Sequence, residues 1–318
     1  MHQDFKPFFI VGCPRSGTSL LSVLLDRHSR IVVTPETYFF HVFSGLSRRR
    51  NQPDHDWFVT RYLDNSYLSA MKLDKSKVLQ RFRDYNPEHS SFFRCALEEY
   101  AETHNEPIIG EKTATHLRWV KTIFQWYPNA KVLWIVRDGR DVVMALMRLF
   151  HKNLRSHCCT WRMSVKLGLQ FEKKYPNNFY RVKFENLVSM PQIELAKLCD
   201  FLEVDYQDRM VNTKVHSGTI LEKEMFYKER ALKPIDQSKI GEWKHSATPQ
   251  QVALMHYVMG DYLRKLDYKD DFSYGSMSDQ LWNAIVQIPF DLAFNNRIHP
   301  LLHTYRIRLR HFVGNLKS

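Results

Sequence analysis

A short loop between two apolar runs near the start of the chain constrains the fold more than any other feature of the sequence. The loop is Gly12-Cys13-Pro14-Arg15-Ser16-Gly17-Thr18-Ser19, between Phe8-Phe9-Ile10-Val11 and Leu20-Leu21-Ser22-Val23-Leu24-Leu25. A buried strand, a glycine-bounded turn and a helix N-terminus together form a phosphate cradle, because backbone N–H groups and the positive end of the helix dipole face the anion. The sequence therefore predicts an anion-binding loop of the P-loop type.

This loop differs from the Walker A phosphate loop at one position. Gly12 and Gly17 have the Walker spacing and a hydroxyl ends the loop, but Thr18 stands where Walker A has lysine. That lysine contacts the β- and γ-phosphates of a nucleoside triphosphate, so its absence argues against an ordinary NTPase. The cation lies instead at Arg15, inside the loop, which points to an anionic nucleotide other than a triphosphate.

Five apolar runs are typical of buried parallel strands. They are Phe8–Val11, Ile31–Val33, Ile108–Gly110, Lys131–Val136 and Phe179–Phe184. Helical patterns follow the first loop and cover Ser91–His104, Thr115–Tyr127, Asp138–Leu154, Thr160–Tyr175, Pro191–Leu202 and Thr248–Leu266. Because strands alternate with helices, the pattern predicts an α/β fold with a parallel sheet and helices on both faces.

Residues 1–272 form one predicted domain, and two segments of the chain differ from it in character. Residues 45–90 are polar, basic and weakly periodic, which predicts a surface insertion or lid that could contact an acceptor. Residues 273–318 mix large apolar groups with arginines and predict a helical C-terminal appendage. This appendage either docks on the core or on a second subunit of a homodimer, or rests on a membrane surface through residues 280–313.

Charge and cysteine content limit the classes of partner and the cellular compartment that we expect for this chain. The net charge of +12 attracts anions, but no zinc-finger spacing or aromatic RNA-binding signature accompanies it, so we expect no nucleic acid partner. The five cysteines are odd in number and lack a CxxC pair, which predicts a reduced protein without a structural metal. With no signal peptide and no run of about 20 apolar residues, the sequence favours a cytoplasmic location.

A second motif follows the fourth predicted strand. In Val136-Arg137-Asp138-Gly139-Arg140-Asp141, Arg137 ends the strand and Asp138 is a good N-cap for the next helix. The carboxyl ends of parallel strands open onto the ligand crevice, so Arg137 is expected beside the first loop. A pairing of Arg137 with Asp138 or Asp141 at the helix start is the alternative.

Together the two motifs resemble those of the sulfotransferases that use 3′-phosphoadenosine 5′-phosphosulfate (PAPS) and release 3′,5′-ADP. The Pro-Arg-Ser-Gly-Thr loop is similar to their 5′-phosphosulfate-binding motif, and the Arg137 segment is similar to their 3′-phosphate-binding motif. The resemblance covers roughly residues 8–266 and is greatest to the bacterial and Golgi-type branch, with its tyrosylprotein and carbohydrate sulfotransferases. One position departs from the family: Ala145 stands where a serine usually binds the 3′-phosphate, a loss that Ser19, Lys239 or Lys244 could offset.

The resemblance implies a set of site residues. Glu36 would be the general base, Lys112 would neutralise charge on the bridging oxygen, and Arg15 would hold the phosphosulfate. The implied cofactor-binding residues, with no metal, are Pro14, Arg15, Ser16, Gly17, Thr18, Ser19, Arg137, Lys239, Trp243 and Lys244. Purely structural roles remain as alternatives: Glu36 as an acidic residue in the first turn of a helix, Lys112 as a surface lysine, and Trp243 as a core residue. His116 and His41 rank below Glu36 as bases because neither lies in a matching motif.

The sequence thus predicts an enzyme that moves the sulfuryl group of PAPS to a hydroxyl, or as a second choice an amine, of a carbohydrate, lipid or small metabolite. Because the sulfonate carries one negative charge, fixed cations and loop amides can assist in-line transfer without Mg²⁺. Two alternatives stay open: a P-loop small-molecule kinase, which predicts binding of ATP with Mg²⁺, and a non-catalytic nucleotide-binding protein associated with a membrane.

Overall fold

The computed structural model describes residues 4–46, 54–105, 108–150, 153–215, 217–220 and 225–268. Its centre is a sheet of five parallel strands: β1 Phe8–Gly12, β2 Ile31–Val33, β3 Ile108–Lys112, β4 Lys131–Val136 and β5 Phe179–Lys183. Their spatial order is β2-β3-β1-β4-β5. The predicted α/β class is confirmed, although β3 runs two residues beyond its apolar core and ends in charged residues.

Helices cover both faces of this sheet. The described α-helices are α1 Thr18–Asp26, α2 Phe39–Leu46, α3 His55–Leu63, α4 Lys75–Phe82, α5 His89–Thr103, α6 Val120–Trp126, α7 Gly139–Leu149, α8 Leu154–Lys174, α9 Phe184–Ser189, α10 Pro191–Leu202, α11 Met225–Lys228, α12 Trp243–Ser246 and α13 Pro249–Lys265. Single 3₁₀ turns cover Leu68–Met71, Ala114–Trp119, Asp208–Val211, Glu229–Leu232 and Gln237–Lys239. The predicted boundary after Leu154 is wrong, since Asn153 caps α8 by accepting a hydrogen bond from Ser156 N at 2.8 Å.

Alternate side chains of β1 enter two separate cores. Phe9 and Val11 pack with α5, α7 and α8 on one face of the sheet, whereas Phe8 and Ile10 pack with α1, α9 and α10 on the other. The helices that follow the neighbouring strands β1 and β4 therefore lie on opposite faces. Such a topological switch point leaves a crevice outside the carboxyl ends of the two strands, where open α/β sheets bind ligands.

The described part of the predicted insertion, residues 54–90, contributes several side chains to the core. Phe58, Tyr62, Leu68 and Phe82 are at most 2% exposed and pack into the core that contains α5. Ring contacts such as Phe58 on Phe82, with centroids 5.5 Å apart, join α3 to α4. A few large aromatic side chains stabilise this part despite its weak periodicity, and its role as a surface insertion or lid stays a prediction.

The predicted C-terminal appendage at 273–318, with its candidate membrane segment at 280–313, lies outside the described residues. Within the part of the chain that the structure describes, no helix is both long and apolar enough to cross a membrane. All five cysteines are free thiols.

Candidate active site

The loop after β1 has the backbone of an anion cradle. Arg15 and Gly17 have left-handed φ angles of 74° and 103°, and Ser16 N donates to Cys13 O over 3.1 Å. Gly17 is the N-cap of α1 and provides no side chain to cap it. A Cβ at Gly17 would lie 2.5 Å from Cδ2 of Phe184, so only glycine fits this turn. The first N–H groups of α1 are therefore left for an anion.

A cavity of about 680 Å³ opens at the carboxyl ends of β1 and β4, within the usual size range of small-molecule sites. Many of the residues that the sequence singled out line it together: Pro14, Arg15, Gly17, Thr18, Ser19, Glu36, Arg137, Ala145 and Lys239. No described residue of 54–90 lines it. A larger cavity, about 990 Å³, lies by the amino ends of the strands among paired charges such as Lys131 and Glu203, and no predicted site residue lines it.

Arg137 connects three parts of the cavity wall. Its Nη1 donates to Arg15 O at 3.4 Å, its Nη2 donates to Lys239 O at 2.5 Å, and its guanidinium lies 4.5 Å from the ring centre of Phe184. Asp141 is also close, at 3.6 Å from Nη2. Thus the predicted position beside the loop and the alternative pairing with Asp141 both hold.

Two buried donors, one on this wall and one in the loop beside it, fit a bound anion. Among the described residues, Ser16 Oγ and Arg137 Nε have no hydrogen-bond partner. Buried polar atoms without a partner are rare in folded proteins, and a site that receives a ligand is one reason for them. With the cradle around Gly17, they fit the phosphate groups of an anionic nucleotide.

Of the predicted cofactor residues, Ser16, Trp243 and Lys244 do not line this wall. Trp243 is buried in the core, and the Arg140 guanidinium lies 4.1 Å from its ring centre. The backbone N–H groups of Gly241 and Trp243 each donate to the Asp141 carboxylate at 2.9 Å. These contacts favour the core role for Trp243 over adenine stacking, because they hold its ring against Arg140.

Glu36, two residues before Tyr38 and just after β2, receives two ammonium groups. Lys112 Nζ lies 3.0 Å and Lys228 Nζ 3.2 Å from the same oxygen, Oε1. Burial would raise the pKa of Glu36, but the charges of the two lysines outweigh burial and lower that pKa to about 2. The site therefore contains an ionised carboxylate held by two cations. Sequence reasoning missed Lys228, because no motif surrounds it.

Beneath this cluster, the fully buried Glu111 joins the ends of β2 and β3. Its Oε1 accepts hydrogen bonds from Thr37 Oγ1 at 2.8 Å and Thr113 Oγ1 at 2.6 Å, and its Oε2 lies 2.9 Å from His116 Nδ1. Burial disfavours the charged form, yet His116 and the hydroxyls lower the pKa of Glu111. Thr37 and Lys112 are the chain neighbours of Glu36 and Glu111, so this network fixes the ion pair of Glu36 and Lys112. The fully buried His116 serves that network.

Glu111→Ala is expected to lower the free energy of unfolding by about 3 kcal/mol, because it leaves several buried donors without their acceptor. Urea unfolding at pH 7 measures the loss. Glu203→Ala is the matched control, since Glu203 pairs with Lys131 at the surface, with its own side chain 69% exposed, and should change stability by only about 0–1 kcal/mol. Equal losses in the two variants would contradict the anchoring role of Glu111.

Fold and site together define a P-loop-type α/β enzyme that binds an anionic nucleotide at the carboxyl end of its sheet. The chain belongs to the Sulfotransferase family, which it matches over residues 7–208. It is therefore a sulfotransferase, and PAPS is the sulfuryl donor that the family implies. The loop cradle and the partnerless atoms Ser16 Oγ and Arg137 Nε fit that sulfuryl donor, and the kinase alternative is set aside.

Known proteins that are similar to this chain are also named sulfotransferases. Protein-tyrosine sulfotransferase A of Caenorhabditis elegans is 24% identical over 280 residues, covering 83% of this chain and 67% of the relative. Protein-tyrosine sulfotransferase 1 of Homo sapiens is 25% identical over 281 residues, covering 84% and 70%. The sulfotransferase domain of the Synechococcus PCC 7002 olefin synthase, 21% identical, has a TM-score of 0.56 and covers 80% of this chain and 96% of its own. The likeness to this olefin synthase domain shows the fold alone.

Proposed function

We propose that this protein transfers the sulfuryl group of PAPS to a hydroxyl group of an acceptor, with Glu36 as the general base. One observation carries the proposal: the Glu36 carboxylate lines the same cavity as the phosphate cradle and Arg137. An ionised carboxylate in a mostly buried site can accept the proton of a hydroxyl as its oxygen attacks sulfur, which contributes on the order of 10²–10⁴-fold to the rate.

Each wall of the cavity has a role in this proposal. When bound, PAPS supplies an activated sulfuryl group whose bond to the 5′-phosphate oxygen breaks as the acceptor oxygen bonds to sulfur. Arg15 and the backbone N–H groups of the loop hold the phosphosulfate end, and Arg137 with Lys239 holds the 3′-phosphate end. Glu36 takes the acceptor proton, and Lys112 keeps this carboxylate in place through its 3.0 Å ion pair.

The acceptor carries a hydroxyl and enters beside apolar side chains. Leu149, Phe150, Val188 and Ile235 line part of the cavity, and Phe150 is 42% exposed. The sequence favours a carbohydrate, a lipid or a small metabolite, and the names of the relatives add the tyrosine hydroxyl of a protein. An apolar wall suits the body of a lipid or an aromatic alcohol. The cytoplasmic location, the homodimer and the membrane contact through 280–313 stay predictions.

Two measurements test the proposed function. Calorimetry should detect binding of 3′,5′-ADP and little binding of ATP, and ATP binding without 3′,5′-ADP binding would overturn the proposal. Transfer from ³⁵S-labelled PAPS is then measured on a panel with a sugar, a long-chain alcohol, a phenol and a tyrosine peptide. Label should pass to a hydroxyl of one class. Tight binding of 3′,5′-ADP with no transfer to any class would favour the non-catalytic alternative.

Ala145→Ser is expected to tighten the binding of 3′,5′-ADP about tenfold. Ala145 lines the cavity with Arg137, and a hydroxyl there adds one hydrogen bond to a charged group. Calorimetry measures the dissociation constant, and Ala145→Cys is the control because it has a similar size but is a weak donor. The same affinity in both variants would mean that the hydroxyl does not reach the nucleotide.

A further inference from the structure

Two lysines contact the catalytic carboxylate, and they differ in their access to the cavity. Lys112 comes from the end of β3 and its side chain is fully buried, whereas Lys228 comes from α11 with a side chain that is 4% exposed. Lys228 lines the cavity together with Glu36, and Lys112 does not. An anion in the cavity therefore meets the ammonium of Lys228 first.

The segment that follows Lys228 is held in place. α11 continues directly into the 3₁₀ turn Glu229–Leu232, and Leu232 O accepts a hydrogen bond from Arg27 Nη2 at 3.4 Å. Ala231 in this turn is buried, and Arg230 lines the same cavity. Because the backbone is fixed on this side, the ammonium of Lys228 can change partners by rotating its own side chain.

Three groups act most strongly on the Glu36 carboxylate. They are the ammonium groups of Lys112 and Lys228 and the side chain of Tyr38, which donates a hydrogen bond to the carboxylate. If one ammonium turns to another anion, Glu36 keeps one cation, and its affinity for a proton rises because less positive charge faces it. Glu36 needs to accept a proton only when the sulfuryl donor PAPS is bound. Such an exchange of partners would make it a stronger base at that moment.

We propose that Lys228 is a second catalytic residue, whose ammonium binds an oxygen of the sulfuryl group and thereby leaves Glu36 with Lys112 as its one neighbouring cation. This inference rests on the proposed function. In the transfer, the acceptor oxygen bonds to sulfur, the bond from sulfur to the 5′-phosphate oxygen breaks, and its electron pair stays on 3′,5′-ADP. The acceptor proton goes to Glu36, and Lys228 remains protonated throughout. The cation thus stabilises charge on the group in transfer and makes the base stronger at the same moment.

Binding of two nucleotides to Lys228→Met tests this role without an acceptor. PAPS and 3′,5′-ADP differ in the sulfuryl group, so loss of a contact to that group should weaken PAPS binding about tenfold and leave 3′,5′-ADP binding within about twofold. Isothermal calorimetry at pH 7 measures both constants. Methionine retains much of the apolar stem of lysine, and Lys228→Arg, which keeps the charge, should recover most of the PAPS affinity.

Lys112→Met is the matched control. If Lys112 rather than Lys228 contacts the sulfuryl group, the selective loss of PAPS affinity appears in Lys112→Met and is absent from Lys228→Met, which overturns the proposal. Equal weakening of both nucleotides by Lys228→Met also overturns it, because the lysine would then only hold the local structure. Failure of the wild-type protein to bind either nucleotide would instead contradict the proposed function.

The rate provides a second readout. With saturating PAPS and acceptor, Lys228→Met should lower kcat about 10²-fold, the usual effect of losing one group that stabilises developing charge. A wild-type kcat in this variant would contradict the role even if the binding selectivity were as expected. Thermal unfolding of all variants shows whether the fold is retained.

Discussion

Glu36→Gln is expected to lower kcat of sulfuryl transfer by about 10²–10⁴-fold and to leave the affinity for 3′,5′-ADP within about twofold of wild type. Glutamine has the size of glutamate, and its amide oxygen can accept hydrogen bonds from Lys112 and Lys228, which now contact the carboxylate at 3.0 and 3.2 Å. It cannot take a proton from the acceptor. Single-turnover transfer from labelled PAPS measures the rate, and calorimetry measures the binding.

Glu229→Gln is the control for this variant. Glu229 lies next to Lys228 in the chain, but its carboxylate is 56% exposed and pairs with Lys233 at the surface. Removal of this carboxylate should leave kcat at the wild-type level. If both glutamine variants lose the same activity, or if neither does, the base role of Glu36 is contradicted.

Glu36→Gln also has an effect on stability that depends on pH. The pKa of Glu36 is lowered from 4.5 to about 2, so its stabilising contribution is complete above pH 4.5 and is lost as the pH falls toward 2. Glu36→Gln lacks this contribution at every pH. The difference in unfolding free energy between wild type and variant should therefore narrow between pH 5 and pH 3, as measured by urea unfolding. A constant difference would contradict the ion-pair arrangement.

Features of the fold that depend on local sequence were predictable. Each strand is a short apolar run, and the turn at Gly17 needs a residue that accepts a positive φ, so both are visible in the sequence itself. The break between α7 and α8 was predicted after Leu154 but lies before it, because one polar cap, Asn153, decides where α8 begins. The burial of aromatic side chains within 54–90 was not visible in the sequence, because it depends on contacts with α5, which are not local.

Site residues were predictable only where they lie in one strand or in the loop that follows it. Arg15 lies in the loop after β1 and Arg137 directly follows β4, and the carboxyl ends of these neighbouring parallel strands bring them together. Lys228 is 192 residues from Glu36 in the chain, and neither periodicity nor spacing relates the two. Trp243 shows the opposite case, because the family resemblance implied a role at the cofactor, whereas Arg140 and Asp141 hold it in the core.

Arg15→Gly is expected to lower kcat/KM for PAPS by about 10²–10³-fold. Arg15 lies on the cavity wall with a φ of 74°, a conformation in which glycine is unstrained, so this change removes the guanidinium without distorting the loop. Arg15→Lys keeps the charge but not the planar fork of donors, and should fall between glycine and wild type. Initial rates over a range of PAPS concentrations measure the effect, and near-wild-type rates in Arg15→Gly would remove Arg15 from the site.

Gly17→Ala separates the charge of the loop from its shape. This variant keeps Arg15 but places a Cβ 2.5 Å from Phe184 at a φ of 103°, so the turn must shift. Both variants should lose PAPS affinity, but only Gly17→Ala should also lower the unfolding free energy, by about 1–2 kcal/mol for the left-handed residue. The loss in Arg15→Gly should shrink as salt rises, because salt screens the attraction that the guanidinium provides in the wild type. A loss independent of salt would mean that Arg15 acts by shaping the loop.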